Sequence, residues 1–313
     1  MIDRAERESA ISDTQRGILA MIGACTIWGL SPLFYKLLAH VPPLEVLSYR
    51  TLWPLGLFGA ILAIQGQLGR LRAFLGRRWP IVALAAIMIS INWGFYIWSI
   101  QVERAMEASL GYYTFPLVAV LMGVVVFGER LALLQWLAVG MATAGVLVLT
   151  FGLGLVPVVA LILAVTFGFY GLIKKRLQSG AMISVTAEVL LLSPLATGWL
   201  IWLASSGSGG PQATGWETQL LLALSGPMTA GPLILFSYAT HRVNLATVGL
   251  LQYLNPTLQF LCAALVFGEP FTRWHGLTFA LIWAALALYS AQALRADRAA
   301  RRRAINASRS ETV

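Results

Sequence analysis

Lys36, Glu45, Arg50 and Glu188 are ionisable residues set inside long apolar runs. If those runs cross a lipid bilayer, each charge costs about 2.5–3.5 kcal/mol at mid-helix, so a partner or a function has to offset it. Lys36, Glu45 and Arg50 fall at the same end of two consecutive runs and read as one charge cluster facing the protein interior. The alternatives are a Lys36 that snorkels to the surface and a Glu45 that serves as a helix-start residue. Arg50 keeps its charge at any physiological pH and can hold a carboxylate in bidentate geometry, either that of Glu45 or an anionic group of a substrate. Glu188 lies five or six residues into a later run; its alternative role is a structural pair with Lys174 or Lys175. Proton coupling through Glu188 or Glu45 and exchange without an ion are both open.

Uncharged polar and aromatic residues accompany these charges. Pro116 and Pro256 sit mid-run, where each removes a backbone hydrogen bond and kinks its helix. Tyr112, Tyr113, Gln252, Tyr253 and Asn255 flank them, so the two kinked segments are expected to border one central cavity. Trp28, Asn92, Trp93, Tyr96 and Trp98 lie deep in their runs, whereas Trp79, Trp136, Trp199, Trp202, Trp216 and Trp274 lie near run ends as an interfacial belt does. Asn92 needs a hydrogen-bond partner, on another helix or on a substrate. The candidate substrate-binding residues are therefore Trp28, Arg50, Asn92, Tyr96, Tyr112, Tyr113, Gln252, Tyr253 and Asn255.

The elements that carry these residues follow from composition. The 313 residues are 58% hydrophobic and 11% charged, against about 25% charged in soluble domains. The solvent is lipid. Ten apolar segments of crossing length are legible, at 17–39, 44–66, 79–100, 106–128, 131–150, 156–174, 182–204, 218–240, 245–268 and 273–294. Backbone polar groups in lipid must be satisfied within the segment, so the fold class is all-α integral membrane. The N-terminus is charged on both signs and lacks the pattern of a cleaved leader, so the first segment is expected to be retained as a helix. With a cytoplasmic N-terminus, only Arg104 and Arg273 of the 22 Lys and Arg fall outside, and Lys36 and Arg50 lie within helices. All the others fall inside, which accounts for the net charge of +9 by topology rather than by nucleic-acid binding. Both termini are thus expected in the cytoplasm, with residues 1–16 as a cytoplasmic segment and 295–313 as a basic tail. The tail "RADRAARRRA" is a solvated stop signal or a contact for anionic lipid.

The chain also repeats itself. "VVFGERL" at 125–131 returns as "LVFGEPF" at 265–271, and at the same offset of 140 Tyr113 meets Tyr253 and Pro116 meets Pro256. Gly29, Leu33 and Lys36 meet Gly168, Leu172 and Lys175 at 139, and Glu45-Val46-Leu47 meets Glu188-Val189-Leu190 at 143. Residues 17–150 and 151–294 are two copies of one five-helix unit. Five crossings is an odd number, so the second copy is expected inverted relative to the first, a plan recurrent in secondary transporters. The Phe-Gly-Glu corners are expected to be structural: Gly128 and Gly268 permit the turn, and Glu129 and Glu269 cap the helix that follows.

"IWGLSPLFYK" (27–36), "EVLSYRTLWPL" (45–55), "NWGFYIWSI" (92–100), "EASLGYYTFPLVAVLMGVVVFGERL" (107–131) and "GLLQYLNPTLQFLCAALVFGEPF" (249–271) resemble RarD proteins. These form part of the EamA-type branch of the drug/metabolite transporter superfamily. The resemblance covers nearly the whole chain and implies ten helices in two inverted repeats around a central solute cavity. One departure is visible. RarD chains usually carry Asn-Pro in the fourth helix, where this chain has Phe115-Pro116; Asn255-Pro256 keeps the pattern in the ninth.

These observations favour a permease of the cytoplasmic membrane that moves a small organic solute by alternating access. A channel-like facilitator and a membrane-embedded enzyme are the other classes. His40, His241 and His275 sit near helix ends without a His-Glu-x-x-His pair, and no Gly-x-Ser-x-Gly occurs, so an enzyme is not expected. No phosphate-binding Gly-x-x-x-x-Gly-Lys-Ser/Thr loop is present either, so ATP hydrolysis is not expected. Cys25 and Cys262 lie in apolar stretches and indicate neither a disulfide nor a metal. No cofactor is expected, the partners are the solute and the bilayer, and the solute's identity and the oligomeric state are left open.

Overall fold

The structure, a computed structural model, describes residues 4–128, 131–154, 156–177, 180–207, 215–243 and 245–310, with side-chain detail confined to residues between Asp13 and Gln292. Among the described residues it is all-helical. The helices are α1 (Arg4–Leu37), α2 (Pro43–Ile64), α3 (Leu68–Gln101), α4 (Ala105–Phe127), α5 (Leu133–Leu153), α6 (Val158–Leu177), α7 (Ala181–Ser206), α8 (Trp216–Thr240), α9 (Leu245–Gln252), α10 (Leu254–Leu261) and α11 (Arg273–Ser310). A π-helical turn, Cys262–Val266, continues α10.

Seven of these helices contain stretches long and apolar enough to cross a membrane, within α1, α2, α3, α5, α7, α8 and α11; 158–174 and 254–266 are shorter apolar stretches. Large apolar side chains lie on the outside, among them Leu19, Ile64, Leu195, Val125 and Leu265, as a lipid-facing surface demands. Helices run beyond the apolar segments read from sequence. α1 starts at Arg4, α3 absorbs the polar stretch 67–78 from Leu68 onward, and α11 continues through the basic tail to Ser310. Length and hydropathy locate the membrane part of a helix, not its end, because arginine is a good helix former in water.

Pro116 stays inside the continuous α4. Pro256 goes with a break: α9 ends at Gln252, and α10 restarts at Leu254. Gln252 is the residue four positions before Pro256, whose carbonyl the proline ring excludes from a helical bond. The chain then loosens into the π turn, closed by Phe267 N–H on the Cys262 carbonyl at 2.9 Å.

Most packing is between the two halves, and it comes in matched pairs. α1 packs on α8 as α3 does on α6, α2 on α8 as α3 on α7, and α4 on α6 as α10 on α1. α2 meets α7, α4 meets α10 and α5 meets α11. One close approach repeats as well. A Cβ on Gly29 would lie 2.6 Å from the Leu258 Cβ, and one on Gly168 would lie 3.4 Å from Val118 Cγ1. Gly29 and Gly168 are repeat mates, and so are Val118 and Leu258.

Candidate substrate site

Helical spacing collects the site. Trp28, Ser31 and Tyr35 form a stripe on α1, Asn92, Tyr96 and Ser99 on α3, and Thr166, Tyr170 and Lys174 on α6. Arg50 of α2 lies against the first two stripes and is 7% exposed. Its Nη1 donates to the Tyr35 hydroxyl at 2.5 Å. Its guanidinium lies 4.4 Å from the Trp93 ring centre and 5.3 Å from that of Tyr35. Its Nε–H is buried with no hydrogen-bond partner.

From Tyr35 a row of rings runs through the interior. Tyr35 and Tyr96 meet edge-on with centres 5.9 Å apart, Tyr96 and Tyr112 at 5.6 Å, and Tyr112 and Phe167 at 5.7 Å. Phe167 then stacks on Tyr170 at 6.0 Å. Hydrogen bonds tie the row to the helices. The Tyr96 and Ser31 hydroxyls share a bond of 2.8 Å. Tyr112 donates to Asn92 Oδ1 at 2.9 Å, and Asn92 Nδ2 donates to the Leu163 carbonyl and to Thr166 Oγ1, each at 3.0 Å. Asn92 is fully buried, and its amide is engaged by α4 and α6. This is the partner on another helix.

The far end of the row is closed. Tyr170 donates to Glu188 Oε2 at 2.9 Å, while Lys174 at 2.7 Å and Ser184 at 2.9 Å donate to Oε1. Lys174 also bonds Ser184. Glu188 is 1% exposed and is paired with Lys174 across α6 and α7, the structural pair that the sequence allowed. The Lys175 side chain lies outside the described residues. Glu45 is likewise 1% exposed, near the start of α2. Lys36 pairs with Glu103 at 3.1 Å, at the half-exposed end of α1. Lys36 is thus turned toward the start of α4, Glu45 sits in the first turn of α2, and Arg50 lies five residues further along that helix.

Tyr113, Gln252, Tyr253 and Asn255 form a second group. Tyr113 is buried, shares a bond of 2.6 Å with Thr257 and packs edge-on against Phe279 and Trp283. Asn255 Oδ1 accepts from Gln259 at 2.9 Å, and its carbonyl would lie 3.0 Å from a Cβ on Gly29. Gln252 and Tyr253 are half-buried at the break between α9 and α10. Trp28 is half-buried, its ring centre 6.0 Å from Phe236. Pro116 is half-buried and Pro256 buried.

Sequence reading passed over Ser31, Tyr35, Thr166, Phe167 and Tyr170. The available signal was helical spacing: Ser31 and Tyr35 lie three and seven residues after Trp28, and Tyr170, Phe167 and Thr166 lie four, seven and eight before Lys174. The Phe-Gly-Glu corner also differs from expectation. Gly128 and Gly268 do adopt the left-handed conformation, each at φ 65°. Glu269, however, caps α4 rather than the following helix: Oε1 accepts from Ala105 N–H at 2.6 Å and Oε2 from Met106 N–H at 2.8 Å. Thr272 and His275 start α11 instead, with the Thr272 N–H donating to Nδ1 at 3.2 Å. Cap choice is tertiary, because a carboxylate goes to whichever exposed helix start lies within reach. Glu129 lies outside the described residues. Among the described residues no group of His, Cys, Asp and Glu is arranged to hold a metal.

The EamA-like transporter family matches the chain twice, over residues 15–151 and 155–291. Protein RarD of Streptomyces exfoliatus is 44% identical over 298 residues, covering 94% of each chain. A Vibrio cholerae protein described as an uncharacterized transporter is 42% identical, covering 93% of this chain and 97% of that one. Protein RarD of Escherichia coli is 36% identical, covering 91% and 97%. One crystal structure is similar with a TM-score of 0.59 and 21% identity, covering 89% of this chain and 97% of that chain, a likeness of fold. An all-helical multi-pass chain made of two copies of one unit, with RarD-type sequence throughout, belongs to the EamA-like transporter family.

Proposed function

We propose that this protein is a secondary carrier for a small organic solute, working by alternating access around the aromatic row. In this reading the chain crosses the cytoplasmic membrane ten times, the α9–α10–π segment being the ninth crossing, with both termini in the cytoplasm. Residues 17–150 and 151–294 are inverted repeats that rock against each other, and the solute meets Arg50 and its aromatic neighbours near the midplane.

The observation that carries the reading is which helix ends touch. Contacts of Lys36 with Glu103, His40 with Thr218, Glu269 with the start of α4, and Glu107 with the start of α6 all join ends assigned to the outer face. Contacts of Asp13 with Arg242 and of Arg78 with the Leu177 carbonyl join ends assigned to the inner face. Under the ten-crossing assignment none of these contacts joins opposite faces, which supports it. The pairwise matching of contacts between halves is what a twofold axis requires. With an odd number of crossings per half, that axis lies in the membrane plane.

The test is counterflow in proteoliposomes against a metabolite library. A carrier shows saturable uptake that is accelerated by unlabelled solute on the opposite side. Uptake that neither saturates nor responds to trans solute means a channel, and no uptake of any compound by correctly folded protein sinks the transport reading.

A further inference from the structure

We propose that the solute is an organic carboxylate, held by Arg50 between the rings of Tyr35, Trp93 and Tyr96. The inference rests on the carrier reading above and names the substrate class of that same site.

A guanidinium has five N–H donors in a planar fork and cannot shed its proton. Arg50 is 7% exposed, yet it meets one phenol oxygen and two ring faces, and its Nε–H meets no acceptor. Ring faces attract the cation electrostatically but accept no strong hydrogen bond. A buried charge with an unmet donor is costly, and the cost falls when an acceptor arrives.

The polar groups nearby have other engagements. Tyr96 bonds Ser31, Tyr112 bonds Asn92, and Asn92 bonds α6. The second buried charge cluster, Glu188 with Lys174, is closed on itself by Tyr170 and Ser184. Arg50 is therefore the charged group of the row with capacity to spare. A cationic solute is repelled by this charge, and a neutral carbonyl offers it one uncharged acceptor oxygen. A carboxylate accepts two parallel N–H bonds from one guanidinium edge, the geometry in which Arg outperforms Lys. The ring row beside it offers hydrophobic edges to a flat apolar body. The result is a preference for small acids with a planar apolar moiety.

Unfolding of the full chain in detergent can be followed with a thiol-reactive dye, because Cys25 and Cys262 are both buried and free. Ligands are tested as acid and amide pairs of equal shape: benzoate and benzamide, phenylacetate and phenylacetamide, indole-3-acetate and indole-3-acetamide. The expected result is that at least one acid raises the unfolding temperature while its amide does not. Arg50→Gln should raise that acid's half-saturating concentration roughly ten- to a hundredfold, with Arg50→Lys in between. The proposal is overturned if no acid outperforms its amide, or if Arg50→Gln responds to acids as the wild type does. It is also overturned if Arg50→Gln with Glu45→Gln regains the wild-type response, since Arg50 would then serve Glu45. Should Arg50→Gln fail to fold, the acid-against-amide comparison in the wild type decides. Counterflow separates the two levels: saturable exchange of neutral or cationic solutes alone would end the carboxylate assignment and leave the carrier standing.

Discussion

Two buried charges in this molecule are handled in opposite ways. Glu188 has Lys174, Ser184 and Tyr170 on its two oxygens, whereas Arg50 has one phenol and two ring faces. The difference predicts different mutational behaviour. Lys174→Met strands a carboxylate that is 1% exposed, and breaking a buried pair from one side costs about 3–5 kcal/mol. The low end applies here, because the Lys174 side chain is 23% exposed. The double variant Lys174→Met with Glu188→Leu should recover most of the loss in a thermal unfolding measurement. A double variant no more stable than Lys174→Met alone would mean that the pair is not the source. Asn92→Ala should behave as an interhelical bond does in a membrane protein, lowering stability by about 0.6–1.7 kcal/mol. Transport per folded molecule should change little, because the Asn92 amide is already spent on α4 and α6.

At the level of elements, two joints between the halves are legible in atomic terms. The first is the crossing of α1 with α10 at Gly29. A Cβ there would meet the Leu258 Cβ at 2.6 Å and the Asn255 carbonyl at 3.0 Å, while at Gly168 the nearest atom is the end of the flexible Met122 side chain at 3.2 Å. Gly29→Ala should therefore lower the unfolding temperature more than Gly168→Ala; equal losses would show that the two crossings are equally compliant. The second joint is Glu269 on the start of α4. Burial pushes this carboxyl above its ordinary value of 4.5, and Glu103 adds to the rise, against the Met106 and Ala105 N–H bonds and Lys36, which lower it. A raised folded value means that the fold favours the neutral form. The stability linked to Glu269 is then greatest at low pH and falls as pH rises through the raised value. The wild type should accordingly gain on Glu269→Gln in unfolding temperature as pH is lowered from 7 toward 5. A gain for the Gln variant over that interval would reverse the assignment.

The whole molecule is two copies of one unit interlocked, since the larger helix contacts cross from one half to the other. A construction of this kind makes sidedness testable by chemistry. Cys25 and Cys262 are buried, so single cysteines introduced at exposed ends should dominate labelling. His40→Cys should react with a membrane-impermeant maleimide applied from outside, whereas Asp13→Cys and Gly69→Cys should react only after permeabilisation. Labelling of all three from one side would contradict the ten-crossing topology.

What the sequence by itself determined is what lipid imposes on any chain. Apolar length forces helices, Lys and Arg asymmetry sets the sidedness expected for them, and the 140-residue offset of Tyr113, Pro116 and the Phe-Gly-Glu corner exposes the duplication. These are one-dimensional properties, and solvent acts on them segment by segment. Partner choice is not of that kind. Lys36 had the carboxylate of Glu45 nearby along the sequence and took that of Glu103. Glu269 stood three residues before the α11 N-cap and took the start of α4, 164 residues away for Ala105. Tyr35, Phe167 and Tyr170 look like ordinary apolar filling in sequence and become one row of rings only when α1, α3, α4 and α6 bring them edge-on and, between Phe167 and Tyr170, stacked. A charge or an aromatic ring bonds whatever helix packing brings within a few ångströms, so the tertiary structure alone decided which residues share the interior.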